Sequence, residues 1–169
     1  MQMQCDNLLS LEQLEHPTDE AQRLVSDLET ELAGQFESHQ RHGLSLDRLF
    51  RPNIRFFLAR LNKEAIGCGG IAFEDGFAEV KRMYVRPTVR GKGVAQAILA
   101  HLEVEARQRG YSRLLLETGD VLSAAIRLYE RAGFKRCDAF GAYVKLPPRS
   151  IERSFFFEKS ITAQPGAAP

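Results

Sequence analysis

A short glycine-rich segment, residues 90–95 with the sequence RGKGVA, limits the fold more than any other part of the chain. It follows a strand-like run, residues 77–85, and opens a long amphipathic helix predicted over about 92–109. The first N–H groups of a helix have no intrahelical partner, and the helix dipole adds partial positive charge there. Glycine lets the backbone approach a ligand because no side chain intervenes. The segment therefore predicts a site for a phosphate-like anion.

Composition and charge limit the partners of the chain. Its 169 residues fit one domain, and 44% of them are hydrophobic, as in a typical globular protein. The 23 basic and 22 acidic residues leave a net charge of +1, which gives no overall attraction to nucleic acid or to a membrane surface. No apolar run approaches the roughly 20 residues of a membrane span. We therefore expect neither nucleic acid nor membrane as a partner, and any cationic site must be local.

The amino terminus and the cysteines predict a cytoplasmic protein. Residues 1–6 lack the basic and apolar regions of a signal peptide. Cys5, Cys68 and Cys137 are odd in number and far apart, which is typical of reduced thiols. Because Cys68 and Cys137 lie in apolar predicted strands, packing explains them better than nucleophilic chemistry does.

Periodicity and turn residues predict a mixed α/β chain. The predicted helices cover 18–36, a short segment from Ser45, 92–109 and 121–132, and the predicted strands cover 54–61, 65–73, 77–85, 113–118, 134–137 and 154–159. A helical crossover joins strands 77–85 and 113–118, so these two should be parallel. This order implies a mixed sheet with helices on both faces. Residues 1–162 should form one domain, and the Pro/Gly-rich tail, residues 163–169, should be disordered.

The strand before the glycine segment carries several polar side chains. In a regular strand the side chains alternate between faces, so Glu79, Lys81, Met83 and Val85 should share one face. Glu79 would then lie about 13 Å from Met83 along the strand. This distance leaves room for an amine and one or two water molecules. The alternative is a surface glutamate that pairs with Lys81 or Arg82.

Three classes of phosphate ligand could use the glycine segment. A nucleoside triphosphate loop requires Lys-Ser/Thr after its second glycine, and here Val94 follows Gly93. A dinucleotide fold requires a third glycine where Gln96 stands, and five intervening residues, 86–90, separate the strand from the first glycine. Glu117 could still be the acidic ribose ligand of such a fold. The third class is the diphosphate of a coenzyme A-type cofactor, and spacing alone leaves the last two classes open.

Two motifs in sequence order resemble those of the GNAT superfamily of acyl-CoA N-acyltransferases. Residues 90–95 fit the R-x-x-G-x-A pattern of its pyrophosphate loop, and residues 125–134 (AIRLYERAGF) fit its second signature, L-Y-x-x-x-G-F. The motifs stand at the usual separation, and the resemblance spans about residues 18–160. Three further segments resemble a bacterial subgroup of small GNAT enzymes: 79–85, 116–119 and 140–143. One departure is Leu122, followed by Ser123, where the family often has Asn or Gln.

The resemblance implies a GNAT-like fold, with a mostly antiparallel sheet, one parallel pair of strands and helices on both faces. It also implies acetyl-CoA as co-substrate, with pantetheine along the strand and the diphosphate at the loop amides. The residues expected to bind it are Met83, Val85, Arg90, Gly91, Lys92, Gly93, Val94, Ala95 and Ser123. His39 and His42 have a spacing that can bind a metal, but no Cys or Asp cluster completes such a site, so no metal is expected.

The resemblance assigns catalytic roles to two side chains. Glu79 would accept the proton of the attacking amine, directly or through water, because amines with a pKa near ~10.4 are protonated at neutral pH. Tyr129 would protonate the leaving thiolate, since a phenol is a hydrogen-bond donor at neutral pH. Helical spacing alone favours Tyr129 as a packing residue. Glu117 is a second candidate for the base.

The expected function is acetyl transfer to an amine of a small molecule or amino-acid-like acceptor, without a covalent enzyme intermediate. The alternative is a non-catalytic acyl-CoA-binding or sensor protein on the same fold. Residues 34–50 and 138–153 should shape the acceptor pocket. Four of their side chains would suit an acidic or polar acceptor: Arg41, His42, Arg48 and Tyr143. A solvated surface explains these side chains equally well. The family also suggests a homodimer.

Overall fold

The computed structural model describes residues 8–162 of the 169-residue chain. The strands in this range are β1 (Leu9–Leu14), β2 (Ile54–Leu61), β3 (Glu64–Phe73), β4 (Ala78–Val85), β5 (Arg113–Gly119), β6 (Lys135–Cys137) and β7 (Ser154–Ser160). The α-helices are α1 (Asp19–Ala33), α2 (Val94–Gln108), α3 (Ser123–Arg131) and the single turn α4 (Pro148–Ile151). The strands form one sheet in the order β1-β2-β3-β4-β5-β7-β6.

The sheet is antiparallel except at its centre, where β4 and β5 are parallel and α2 connects them. Helices cover both faces of the sheet, as alternate residues of β2 show by packing into two different cores. Phe56 and Leu58 pack with α1, and Phe57 and Ala59 pack with α2. We call these sides the α1 face and the α2 face. The predicted mixed sheet with one parallel pair is confirmed, and it is not a dinucleotide-binding fold, whose strands are mostly parallel.

Local sequence explains where α1 begins and how it packs. Thr18 precedes the helix in an extended conformation, and its hydroxyl accepts a hydrogen bond from the N–H of Ala21 at 3.2 Å. Ala21, Leu24 and Val25 recur at helical spacing and are buried against the sheet. The helix predicted from Ser45 is shortened to a 3₁₀ turn, Asp47–Phe50, within the connection that covers the α1 face.

β4 and β5 pair only over a short stretch. Their ladder consists of Ala78 with Leu114 and Glu79 with Leu115. Beyond these pairs the two strands separate, although β4 continues to Val85 and β5 to Gly119. The carboxyl ends of parallel strands are where α/β sheets commonly bind ligands. We call this wedge-shaped opening in the sheet the gap.

A β-bulge in β4 corrects the predicted arrangement of its side chains. The register with β3 shifts between Cys68 and Gly70, so that Arg82 and Met83 lie opposite a single residue of β3. Arg82 takes the extra position with a positive φ of 53°. Met83 then packs with α2, while Glu79 lies on the α1 face. The prediction that Glu79 and Met83 share one face is wrong, because the bulge interrupts strand alternation between them.

The sequence analysis did not predict β1. This strand pairs with β2 at the edge of the sheet, and Leu9 and Leu11 pack against the core on the α2 face. The tail predicted to be disordered, residues 163–169, lies outside the described residues. Within residues 8–162, every helix is too short or too polar to cross a membrane.

Candidate active site

The gap is a cleft that opens on both faces of the sheet. On the α2 face its lining includes Val80, Met83, Ala125 and Tyr129. On the α1 face its lining includes Leu32, Phe36, His42, Glu79, Glu117 and Tyr143. Groups on both faces can therefore reach a molecule in the gap.

The glycine segment forms an anion cradle at the start of α2. Gly91 and Gly93 have φ angles of 75° and 80°, in the left-handed region that favours glycine. A Cβ at either position would meet no atom within 4 Å, so the space beside the backbone is open. Within the described chain, the N–H groups of Gly91, Gly93, Val94 and Ala95 donate no hydrogen bond to a protein acceptor, while a turn over Arg90 and Gly91 closes at Lys92. Open space beside unpaired amides at a helix start fits a diphosphate group.

The edge of β4 offers backbone groups to the gap. The N–H of Arg86 donates to the carbonyl of Ile66 at 2.9 Å. Backbone groups of alternate residues point to opposite edges of a strand, so those of Val85 and Met83 point away from β3 and toward the gap. The Nε of Arg90 already donates to the carbonyl of Val85 at 2.8 Å. An extended ligand such as pantetheine can pair with this edge as a strand would.

The side chains expected to bind the cofactor differ in their surroundings. Arg90 braces the loop, because it donates to Val85, stacks over Tyr84 at 5.6 Å and pairs with Glu31 at 2.6 Å. Its charge is therefore partly neutralised within the protein. Lys92 is exposed and makes no ion pair within residues 8–162. Ser123 is exposed at the first turn of α3, the helix that carries Tyr129.

Glu79 is the centre of a buried hydrogen-bonded triangle. Its Oε1 accepts a hydrogen bond from the hydroxyl of Tyr143 at 2.6 Å and lies 2.8 Å from the Nζ of Lys81. The Nζ of Lys81 also donates to the hydroxyl of Tyr143 at 2.9 Å. Glu79 is only 6% exposed, so it is not the surface glutamate of the alternative interpretation, although it does pair with Lys81. The charge-assisted bonds fix the carboxylate in one orientation at the narrow end of the gap.

Glu117 lies on the same face, one strand away from Glu79. Burial raises the pKa of the Glu117 carboxyl above its usual range, and the negative charge of Glu79 adds to this effect. A hydrogen bond from the Ser154 hydroxyl at 2.8 Å and electrostatic interactions with His42 and Lys81 oppose it. A carboxyl group with a raised pKa in a cleft is a good proton acceptor near neutral pH.

Tyr129 lies across the gap from these carboxyl groups. It is 6% exposed and packs against Phe134 and Phe157 in the core of the α2 face. Burial raises the pKa of its phenol, and the charge of Glu117 contributes to this shift. The hydroxyl therefore keeps its proton at neutral pH, and it donates to no acceptor in the described part of the chain. Packing and donation to a ligand are both compatible with this position.

The structure separates the two histidines of the 34–50 connection. His42 lines the gap, and its Nε2 donates to the carbonyl of Ser150 at 2.7 Å, because a carbonyl oxygen can only accept. His39 instead lies 3.3 Å from Glu37, outside the gap. Arg48 is exposed and does not line the gap either.

Sequence reasoning offered the pairing of Glu79 with Lys81 as an alternative, but it missed the contact between Glu79 and Tyr143. The spacing of Lys81 from Glu79 gave a local signal for their pairing. Tyr143 lies 64 residues from Glu79, and no local pattern reveals a contact across that separation. Its ring also packs edge-on against His42, at 5.6 Å between ring centres.

Neither a metal site nor a cysteine nucleophile is evident in the described residues. In residues 8–162, no three His, Cys, Asp or Glu side chains are arranged to hold a metal ion. Burial raises the pKa of the Cys68 thiol to about 12, which keeps it protonated and unreactive. Cys137 is half-buried on β6, away from the gap.

Comparison with known proteins shows the family of the chain. The sequence profile of the acetyltransferase (GNAT) family matches residues 12–134. The IAA acetyltransferase of Azospirillum brasilense is 39% identical over 145 residues, which are 85% of this chain and 92% of that protein. A solved structure from Klebsiella pneumoniae, described as an acyl-CoA N-acyltransferase, has a TM-score of 0.77 and 32% identity over 92% of this chain and 99% of its own.

A solved structure with a bound ligand shares the fold at lower identity. A GNAT family acetyltransferase from Elizabethkingia anophelis, solved with acetyl-CoA, has a TM-score of 0.63 and 20% identity over 92% of this chain and 99% of its own. The family profile covers the glycine loop, both strands that border the gap and Tyr129, and it ends before Tyr143. The chain therefore belongs to the GNAT family of acetyltransferases and is an acetyl-CoA-dependent N-acetyltransferase.

Proposed function

We propose that the protein transfers an acetyl group from acetyl-CoA directly to the amine of a small-molecule or amino-acid-like acceptor, in a ternary complex. The observation that carries this proposal is the gap, which opens on both faces of the sheet. A thioester placed in the gap from the α2 face can meet an amine that enters from the α1 face. The name of the Azospirillum brasilense relative, IAA acetyltransferase, is consistent with a small-molecule acceptor.

The cofactor would lie along β4 and the start of α2. The amides of Gly91 to Ala95 would bind the diphosphate, with Arg90 and Lys92 adding positive charge. The edge amides of Met83 and Val85 would pair with the pantetheine arm. Ser123 lies at the start of α3, where its hydroxyl could donate to the same arm. The donor molecule supplies the activated acetyl thioester, and the chain orients it.

In the transfer step, a new C–N bond forms between the amine and the acetyl carbonyl carbon while the C–S bond breaks. The proton of the amine passes to Glu79, directly or through water. Glu117 is the alternative acceptor, because its raised pKa and its position in the gap suit the same task. Tyr129 donates its hydroxyl proton, as a hydrogen bond or in full, toward the sulfur of the leaving thiolate.

Direct transfer without an acyl-enzyme is supported by the cysteines of the described chain. Cys68 of β3 is buried in the core of the α1 face, where burial raises its pKa to about 12, and neither Cys68 nor Cys137 lines the gap. A covalent route would need an activated thiolate beside the thioester, and neither cysteine meets this requirement. A homodimer and a cytoplasmic location stay predictions from the resemblance and the composition.

The test compares Glu79→Gln and Tyr129→Phe with the unmodified chain, measuring both turnover and coenzyme A affinity. We expect each variant to lower kcat by about 10²-fold or more, the usual contribution of a general acid or base. Coenzyme A affinity, measured by calorimetry, should stay within about threefold, since neither group holds the diphosphate. Unchanged kcat in both variants would contradict the assigned roles.

The rival function is acyl-CoA binding without catalysis. The same assay decides between them, because an acetyltransferase releases free coenzyme A thiol over time in the presence of an amine. Tight cofactor binding with no thiol release against a broad panel of amines would favour the sensor.

A further inference from the structure

We propose that the acceptor carries a carboxylate in addition to its amine, and that Arg41 and Arg82 recognise that carboxylate at the α1-face end of the gap. This inference rests on the proposed function, since it names the substrate class of the same site. It follows from how charged side chains are distributed along the cleft, and from donors of Arg41 that the protein leaves unused.

Acidic and basic side chains lie at different ends of the gap. Two carboxyl groups, Glu79 and Glu117, lie at the floor, where β4 and β5 separate. Two guanidinium groups, Arg41 and Arg82, line the α1-face end of the same cleft. Lys81 lies between, already paired with Glu79. An acceptor with an ammonium group at the floor and a carboxylate at the outer end would match both sets of charges.

Arg41 has donors that the protein does not satisfy. Its Nη1 donates to Glu29 at 2.8 Å, and its Nε is buried without a hydrogen-bond partner in residues 8–162. A buried N–H without an acceptor is costly, because it has lost water and gained nothing. The planar guanidinium can bind a carboxylate through two parallel N–H groups. Because the Nε is buried, a ligand carboxylate would first reach the Nη groups that Glu29 leaves free, and it would bind the Nε only after the side chain turns toward the cleft.

Arg82 is held in place by the local backbone. It occupies the bulge of β4, and its Nε donates to the carbonyl of Leu44 at 2.9 Å. Its guanidinium lies directly under Gly43, where a Cβ would come within 2.0–2.2 Å of three of its atoms. Only glycine at position 43 leaves room for the arginine. The side chain is 5% exposed, so the charge is fixed rather than mobile.

The two arginines share one protein carboxylate. Glu29 of α1 pairs with both Arg41 and Arg82, and Asp47 also lines the cavity beside them, so that cavity has equal numbers of acidic and basic side chains. The Glu29 side chain is 35% exposed, and the pair faces a second, open cavity between α1 and residues 38–47. A ligand that arrives through this cavity meets the guanidinium groups first. Glu29 weakens the attraction of both guanidinium groups for a ligand carboxylate, because it already neutralises part of their charge.

The same arrangement disfavours acceptors with several amines. A polyamine or an aminoglycoside would bring a second ammonium group toward two fixed guanidinium groups, and like charges repel at short distance. A simple alkylamine would escape this repulsion but would bring no second carboxylate to the two arginines. Of these classes, amino acids and other amines with an acidic group fit the charges best.

The experiment measures thiol release from acetyl-CoA by the full chain with matched acceptors. Each pair consists of an amino acid and the amine without its carboxylate: L-phenylalanine and 2-phenylethylamine, L-tryptophan and tryptamine, L-histidine and histamine. The corresponding amino acid amides and spermidine complete the panel. We expect kcat/KM to be about tenfold higher, or more, for the acid of the preferred pair, which corresponds to the loss of one paired charge (~1.4 kcal/mol).

Two variants with opposite expected effects test the arginines. Arg41→Gln should reduce the acid-to-amine ratio of kcat/KM, mainly through a higher KM for the acid. Glu29→Gln should increase the ratio, because it removes the competing carboxylate. Arg48→Gln is the matched control, since Arg48 is an exposed arginine of the same connection and lines neither cavity. Thermal unfolding and coenzyme A affinity verify that each variant is folded.

The outcomes separate the two proposals. The inference is overturned if the amines, the amides or spermidine react as well as the acids. It is also overturned if Arg41→Gln lowers kcat/KM equally for both members of a pair. In either case the proposed acetyl transfer would still stand. If no acceptor releases thiol although coenzyme A binds, the proposed function fails, and the inference falls with it. An acid preference that Arg41→Gln reduces, and that Glu29→Gln increases, supports the inference.

Discussion

On the α2 side of the gap, the groups suited to ligand binding are mainly backbone amides from two neighbouring segments, the edge of β4 at Met83 and Val85 and the loop from Gly91 to Ala95. On the α1 side they are side chains from several separate segments, among them Glu29, Arg41, Glu79 and Tyr143. Backbone amides at a helix start bind any phosphate of suitable shape, so this side can serve a cofactor common to a family. A set of distant side chains can change one residue at a time, so the other side can differ between acceptors.

The two sides also differ in how their charges are used. Lys92 of the loop is exposed and carries no ion pair within residues 8–162, so it is free to meet an anion. On the α1 face, Lys81, Arg41 and Arg82 are already paired with carboxylates of the protein. A ligand there must compete with existing ion pairs, which makes binding depend on an exact match of charges and therefore favours specificity.

Of two glycine variants that compare the sides, the one on the cofactor side should have the larger effect on binding. Gly93→Ala places a methyl group in the open space beside the loop amides, at a φ of 80°. We expect coenzyme A affinity to fall about tenfold or more (~1.4 kcal/mol), because the Cβ occupies the approach of the diphosphate. Calorimetry with coenzyme A measures this loss.

The matched control for this prediction is Gly76→Ala in the β3–β4 turn. Gly76 has a φ of 83° and equally open surroundings, so alanine there has the same backbone strain of about 1–2 kcal/mol without a nearby ligand. Both variants should lose similar thermal stability. Equal coenzyme A affinity in the two would show that the loop does not bind the diphosphate.

A smaller effect is expected on the acceptor side. Gly43→Ala would displace the guanidinium of Arg82, since the new Cβ would lie 2.0–2.2 Å from it. We expect the KM of the acceptor to rise about fivefold, roughly 1 kcal/mol, while coenzyme A affinity stays unchanged. Gly34→Ala is the control, because its Cβ would make only ordinary contacts, at 3.4 and 3.9 Å. A loss of cofactor affinity in Gly43→Ala would remove the distinction between the two sides.

The smallest effect concerns stability and its pH dependence. Burial raises the pKa of Glu117 in the folded protein, so the folded state holds this proton more tightly than the unfolded state does. The free energy of unfolding therefore falls as the pH rises from the pKa of Glu117 in the unfolded chain through its higher pKa in the folded protein, because ionised Glu117 is less stable when buried. Glu117→Gln should be more stable than the unmodified chain at pH 8 and little different at pH 4. Thermal unfolding across this range would contradict the account if the variant were less stable at pH 8.

Local sequence was sufficient to predict most of the fold. The parallel pairing of β4 and β5 followed from the helix between them, and α1 followed from Thr18 and the apolar spacing after it. β1 was missed because Leu9–Leu14 is a short edge strand with exposed Ser10, Glu12 and Gln13, and only its pairing with β2 stabilises it. The bulge was missed because nothing near Arg82 distinguishes a bulged strand from a regular one; its register depends on β3.

The candidate site was predictable to a different extent on its two sides. The glycine loop and Tyr129 could be found because each lies in a contiguous motif. The Tyr143–Glu79 contact and the shared pairing of Glu29 depend on segments that meet only in the folded chain. Patterns within one segment carry no information about contacts between distant segments. The sequence therefore predicted which regions shape the acceptor pocket, but not which of their charged side chains form ion pairs.

The most direct test of the central claim is an NMR titration of the full chain with acetyl-CoA, following each backbone amide. We predict that the amide resonances of Gly91 to Ala95 move most, together with those of Met83 and Val85. Those of Arg41 to Gly43 should respond chiefly when an acceptor is added. Shifts centred on residues 38–47 with no change at the loop after Arg90 would contradict the assignment of the cofactor to the α2 side of the gap.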